Sequence, residues 1–157
     1  MTDAAPLQAA SDAEPVSGAP WRDRALRLVV VDADDRTRES VVGLLGIRER
    51  FRVVGSAGHL GAAIRLVEDL RPDAVIMDPR LPEVSGGVAL IRAIRGLDAG
   101  IRILAVGWSP ELEHDTLKAG ADGFIRKTFR PAELAEAIAR CMRSGAGHRA
   151  TGIILQE

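Results

Sequence analysis

The feature that most constrains this chain is a set of five short apolar runs, starting 22–27 residues apart, with a helical pattern between each pair. The runs are Leu26 to Val31, Arg52 to Ala57, Ala74 to Met77, Ile101 to Val106 and Gly123 to Arg126. The first, LRLVVV, is nearly continuous in apolar character, as expected of a strand covered on both faces. The intervening segments change period. Leu60, Ala63, Ile64, Val67 and Leu70 fall on one helical face, and Arg71-Pro72-Asp73 stops that helix. Helices are predicted over Thr37 to Phe51, His59 to Leu70, Val88 to Leu97, Pro110 to Ala119 and Pro131 to Arg143. Pro131 suits a first helical turn. Alternation of this kind predicts repeated βαβ units. Right-handed crossovers then give an α/β fold, a doubly wound five-stranded parallel sheet with helices on both faces. Its ligand crevice lies beyond the carboxyl ends of the strands.

With 157 residues, the chain has room for one domain and tails. Residues 1–24 are rich in Ala, Pro, Ser, Asp and Glu, have no apolar period, and are expected to be a disordered leader. Leu7 and Trp21 are its only large apolar residues. Residues 144–157 form a glycine-bearing tail that ends in Ile153-Ile154-Leu155, too short for a DNA-binding helical module. One domain over 25–143 with no output domain is the expectation. The net charge of -1 favours neither direct nucleic-acid binding nor a polybasic membrane anchor. The single cysteine, Cys141, excludes a disulfide framework and sits on an apolar helical pattern as core filler. No apolar run approaches the roughly 18 residues of a membrane span, and the N-terminus has no secretory pattern, so a cytoplasmic location is expected.

Chemistry gathers at the strand ends. The first run is followed by Asp32, Ala33, Asp34 and Asp35, the third by Asp78 and the fifth by Lys127. In a doubly wound sheet these ends surround one crevice. Carboxylates there suit a hard divalent cation, one of them suits attack on a phosphoryl group, and a lysine suits the transferred charge. Acids after strands are also ordinary helix caps and loop solvators. That is the favoured reading of Asp34 and Asp35, which precede a helix. Asp32, Asp78 and Lys127 together fit it less well.

Residues 26 to 143 resemble bacterial response-regulator receiver domains. The resemblance is carried by VVVD at 29–32, RPDAVIMDPRLP at 71–82 and AGADGFIRKTFRPAEL at 119–134. It implies a flavodoxin-like sheet of order 2-1-3-4-5. It implies Asp78 as phospho-acceptor, Asp32 in the acidic pocket and Lys127 as the phosphate-contacting lysine. Arg80 would offer its backbone carbonyl to Mg²⁺ beside Asp32 and Asp78. Phe124 takes the aromatic switch position, and Pro82 matches the proline of the loop after the acceptor. The implied partners are a histidine kinase or phosphotransfer protein, or a downstream signalling protein, with self-association through the last helix as a further option. The implied protein is not an enzyme in the usual sense.

Two positions depart from the family pattern. Ala33 stands where a second acid ligates Mg²⁺, and Gly107 where a hydroxyl residue contacts the phosphoryl group. The segment between Gly107 and Gly120 also reads about two residues shorter than in typical members. Losing a carboxylate removes charge and an oxygen ligand, and Mg²⁺ tolerates imperfect geometry poorly. Asp34 as a substitute ligand ranks below its capping role. Three readings stay open: a receiver with reduced phosphorylation at Asp78, a phosphorylation-independent pseudo-receiver that binds partners, and, well behind, a small-ligand-binding flavodoxin-like domain.

Other patterns carry less. Gly55, Gly58 and Gly61 have the wrong spacing for a dinucleotide loop and read as a strand-to-helix turn. His59, His114 and His148 form no dyad, and Ser56, Ser85 and Ser109 have no nucleophile elbow. Trp108, in the loop after the fourth strand, suits either the core edge or a partner-binding face.

Overall fold

A computed structural model of the chain describes residues 24–127 and 130–143. Strands and helices alternate throughout: β1 (Leu26–Val31), α1 (Asp35–Gly46), β2 (Phe51–Ala57), α2 (Leu60–Leu70), β3 (Ala74–Met77), α3 (Val84–Leu97), β4 (Arg102–Gly107), α4 (Leu112–Ala119), β5 (Gly123–Arg126) and α5 (Pro131–Arg143). The strands form one parallel sheet in the order β2-β1-β3-β4-β5. This is the flavodoxin-like doubly wound topology. The proposed leader up to Asp23, with Leu7 and Trp21, lies outside the described residues. So does the tail from Ser144, with His148 and the Ile153–Leu155 triplet.

The side-chain period of two along β1 and β3 feeds two separate cores, and Ala105, Leu112 and Phe124 form a small third one. Leu26, Leu28 and Val30 of β1 and Ala74 and Ile76 of β3 face one side, where Leu45 of α1 and Leu134, Ile138 and Met142 of α5 cover them. Val29, Val31, Val75 and Met77 face the other, beneath Ala63 and Val67 of α2 and Leu90, Ile91 and Ile94 of α3. Cys141 is buried in the first of these cores, and burial pushes its thiol up to about 12, as suits an inert filler. At the amino ends of the strands two aspartates fasten the layers. Asp73 accepts from the Arg27 backbone N–H at 2.8 Å and pairs with Arg24 at 2.8 Å. Asp122 accepts from the Ile103 backbone N–H at 2.8 Å and pairs with Arg95 at 2.5 Å, whose Nε donates to the Gly120 carbonyl.

Some boundaries differ from the sequence expectation. α1 ends at Gly46, not Phe51; Ile47 caps it in solvent, while Phe51 opens β2 and is buried in the core shared with α5. α3 begins at Val84, so Gly86 and Gly87 lie in its first turn and not in the preceding loop. α4 begins at Leu112, two residues later than expected, and Gly107 belongs to β4. α2 ends as expected, with Arg71 in the left-handed region (φ 46°) as its C-cap. The glycine triplet spans β2, the turn at Gly58 and the first turn of α2.

Gly43 offers a simple test of α1. A Cβ there would meet nothing within 4 Å, so Gly43→Ala removes backbone freedom from the unfolded chain without a clash. The expected result is a gain of about 0.5–1 kcal/mol in urea unfolding.

Candidate functional site

The carboxyl ends of β1, β3 and β5 meet, and Asp32, Asp78 and Lys127 form one cluster. The register of β1 with β3 pairs Val31 with Met77, which brings the next residues, Asp32 and Asp78, side by side. Lys127 follows β5, and its backbone N–H donates to the Gly107 carbonyl at 2.8 Å. That bond fixes where the lysine side chain starts. Its Nζ reaches Asp32 Oδ2 at 2.9 Å and Asp78 Oδ2 at 2.5 Å. The three side chains are 7%, 9% and 8% exposed for Asp32, Asp78 and Lys127, so the charges are largely withdrawn from water.

The two remaining carboxylate oxygens are also held. Asp32 Oδ1 accepts from the Asp34 backbone N–H at 2.9 Å, and Asp78 Oδ1 from the Arg80 backbone N–H at 2.7 Å. All four carboxylate oxygens therefore have a protein partner. Burial alone would lower the Lys127 pKa, but the hydrogen bonds and charges of Asp78 and Asp32 outweigh it and hold it above its usual 10.5. A folded-state value raised in this way adds stability that is fully present below 10.5 and is lost as pH rises through the folded value. The expected outcome is a urea midpoint that falls in alkali above that point, by less in Lys127→Met than in the parent chain.

The other candidate residues take varied places. Asp34 caps α1: its Oδ1 accepts from the Thr37 backbone N–H at 2.8 Å, which holds its carboxyl below the usual carboxylate range. Asp35 pairs with Arg38 at 2.7 Å, and Arg38 also donates to the Asp32 carbonyl. Ala33 is exposed and carries no ligand atom. Arg80 enters the cluster through its backbone N–H. Phe124 is buried, 2% exposed, and its ring fills the space beside Gly107: a Cβ on that glycine would lie 3.2 Å from Phe124 Cζ and 3.3 Å from Pro79 Cδ.

Donor chemistry tests how well a Mg²⁺ ion fits. Mg²⁺ calls for near-octahedral oxygen ligands. Here the two carboxylates close on an ammonium, position 33 supplies no oxygen, and among the described residues no three His, Cys, Asp or Glu side chains gather around a common point. Asp32 and Asp78 are the carboxylates at the crevice that would hold such an ion.

Two features had no clear signal in the sequence. Gly107 acts through its carbonyl as the clamp on Lys127. Trp108, half-exposed at 52%, lies with its ring centroid 5.4 Å from Lys127 Nζ, a cation–π distance. The sequence located Trp108 in the right loop but could not say that its ring covers the lysine.

A parallel sheet of this order with two acids and a lysine at its carboxyl edge defines a class, and the comparisons agree with it. Residues 28–139 match the family model of the response regulator receiver domain. The chain belongs to that family, whose members serve two-component signalling. It is 35% identical over 115 residues to the DNA-binding transcriptional activator DevR/DosR of Mycobacterium tuberculosis, covering 72% of this chain and 52% of that protein. It is similar to the solved receiver domain of the putative response regulator NarL from Mycobacterium tuberculosis, with TM-score 0.71 and 29% identity over 78% of this chain and 99% of that one. It is also similar to a two-component response regulator of the LuxR family from Aurantimonas, with TM-score 0.70 and 35% identity over 81% of this chain and 89% of that one. The chain spans about half the length of the curated relatives it matches. Among the described residues no helix is long and apolar enough to cross a membrane.

Proposed function

We propose that this receiver signals through protein contacts, with Asp78 as an acceptor of reduced phosphorylation capacity and a weakened Mg²⁺ site. The supporting observation is the closed cluster, in which Lys127 bridges Asp32 and Asp78 and every carboxylate oxygen is already engaged. In the proposed step Asp78 Oδ2 attacks the phosphorus of a donor such as a phosphohistidine. The P–N bond breaks, the leaving imidazole takes a proton, and an acyl phosphate forms on Asp78. Lys127 first releases Asp78 Oδ2 and then pairs with the phosphoryl oxygens, where it offsets charge. Nothing at Gly107 donates a hydroxyl hydrogen bond to them, a loss of about 0.5–1.5 kcal/mol in an ordinary case. The proposed partners are a histidine kinase or phosphotransfer protein upstream and a signalling protein downstream. The chain is a signalling module, not a turnover enzyme.

Intact-mass measurement with phosphoramidate or acetyl phosphate tests this. The expected result is a slow gain of one phosphoryl group, absent in Asp78→Asn and little changed by Mg²⁺. Ala33→Asp, which returns an oxygen ligand, is expected to raise both the rate and its Mg²⁺ dependence. No gain with either small donor or with a phosphorylated phosphotransfer protein would overturn the acceptor role. A second reading, a phosphorylation-independent binding module, is favoured by Ala33 and by the Phe124 ring packed against Gly107. It predicts that Asp78→Asn leaves partner binding unchanged.

A further inference from the structure

Between α1 and α5, next to the acidic cluster, the chain has a pocket of about 220 Å³. Its walls are apolar: Val41 and Leu44 from α1, Val106 from β4 and Leu134 from α5. The two helices on this face touch each other little, and Val41 and Leu44 are left only partly covered. For scale, an apolar cavity of about 150 Å³ holds one benzene ring. This one has room for one or two fused rings.

The mouth has a consistent chemistry. Among the described residues that line it, the polar groups are the Arg36 guanidinium, the Thr37 and Ser40 hydroxyls and the Lys127 ammonium, and none is a carboxylate. Each of them offers hydrogen to an incoming acceptor. Arg36 is exposed and makes no side-chain ion pair among the described residues. Lys127 directs two of its hydrogens to Asp32 and Asp78, beneath the Trp108 ring. Trp108, with Lys127 over its ring, adds an aromatic wall to the same side of the pocket. An apolar floor, an aromatic wall and a rim of donors complement a planar ring that bears an anionic acceptor.

We infer that this pocket is a binding site for a small aromatic acid, with its ring between α1 and α5 and its carboxylate at Arg36 and the Ser40 hydroxyl. The inference stands whether or not Asp78 takes a phosphoryl group. Because Lys127 serves both places, an occupant would lie against the side chain that closes the acceptor cluster.

The test uses the full chain with labelled methyl groups and indole-3-acetate as the probe, with indole and tryptamine as neutral and cationic comparators. Indole-3-acetate is expected to shift the methyl resonances of Val41, Leu44, Val106 and Leu134 saturably, with tryptamine weakest. Arg36→Gln is expected to weaken the acid about two- to five-fold, the scale of an exposed ion pair, and to leave indole unchanged. Ser40→Phe and Val41→Phe fill the space from two directions, and both are expected to abolish the shifts while the remaining spectrum stays folded. The site is refuted if no saturable shift appears at those methyls up to the solubility of indole-3-acetate, or if a folded filled variant still binds it. Tryptamine binding as well as the acid would overturn the acid class.

Discussion

Lys127→Met is expected to lower the unfolding free energy by about 3–5 kcal/mol, the usual loss when one member of a buried ionic cluster is removed. Methionine keeps most of the side-chain bulk and drops the charge. Asp32 and Asp78, each less than a tenth exposed, then face each other with no ammonium between their Oδ2 atoms. The loss shows as a lower urea midpoint at unchanged slope. Asp78→Asn placed on top of Lys127→Met is expected to return much of it, because the second carboxylate no longer needs a cation. The double-mutant cycle therefore carries a large coupling energy. A single variant within about 0.5 kcal/mol of the parent, the range of a surface change, would mean that the three side chains do not share a buried pocket in solution.

Gly87→Ala is expected to cost about 1–3 kcal/mol, an overpacking penalty. A Cβ there would lie 1.9 Å from the Pro79 carbonyl oxygen, and one at Gly86 would lie 1.8 Å from that of Leu81. Both obstacles are backbone, so no rotamer change relieves them. The same loop supplies the Arg80 N–H that holds Asp78 Oδ1, so displacing it disturbs the acceptor position as well. Helix propensity alone predicts the opposite sign, since alanine is the better helix former. Gly43→Ala in α1, with open space around it, is expected to show that favourable sign. Thermal unfolding of the two variants side by side separates packing from propensity, and equal shifts would refute the tight seat of α3 on the loop.

Local patterning carried the architecture because each level agreed with the next. The alternating faces of β1 and β3, the amphipathic stripe of α2 and the stop at Arg71-Pro72 each point to the same layered sheet. Boundaries were less legible where tertiary packing overrides a local cue. Gly86 and Gly87 look like loop residues in isolation, yet α3 needs them to approach the Pro79–Leu81 backbone. Asp32, Asp78 and Lys127 were legible because strand ends converge in this topology whatever the side chains. Asp34 and Asp32 looked alike in sequence, and only the capping bond to Thr37 separates them. The carbonyl clamp at Gly107 had no sequence signal, since every residue has a carbonyl. The pocket beside α5 depends on how far apart two helices settle, which no single segment encodes.

The Asp73 and Asp122 clasps sit at the amino ends of the strands, the end opposite to Asp78. The foot of the molecule thus has its own ion pairs, separate from the Lys127 ammonium, the Arg38 guanidinium and the backbone donors that hold the crown. Such a division lets an exposed residue such as Ala33 change with little harm to assembly. It leaves the upper rim free to diverge in what it recognises while the foundation keeps the chain folded.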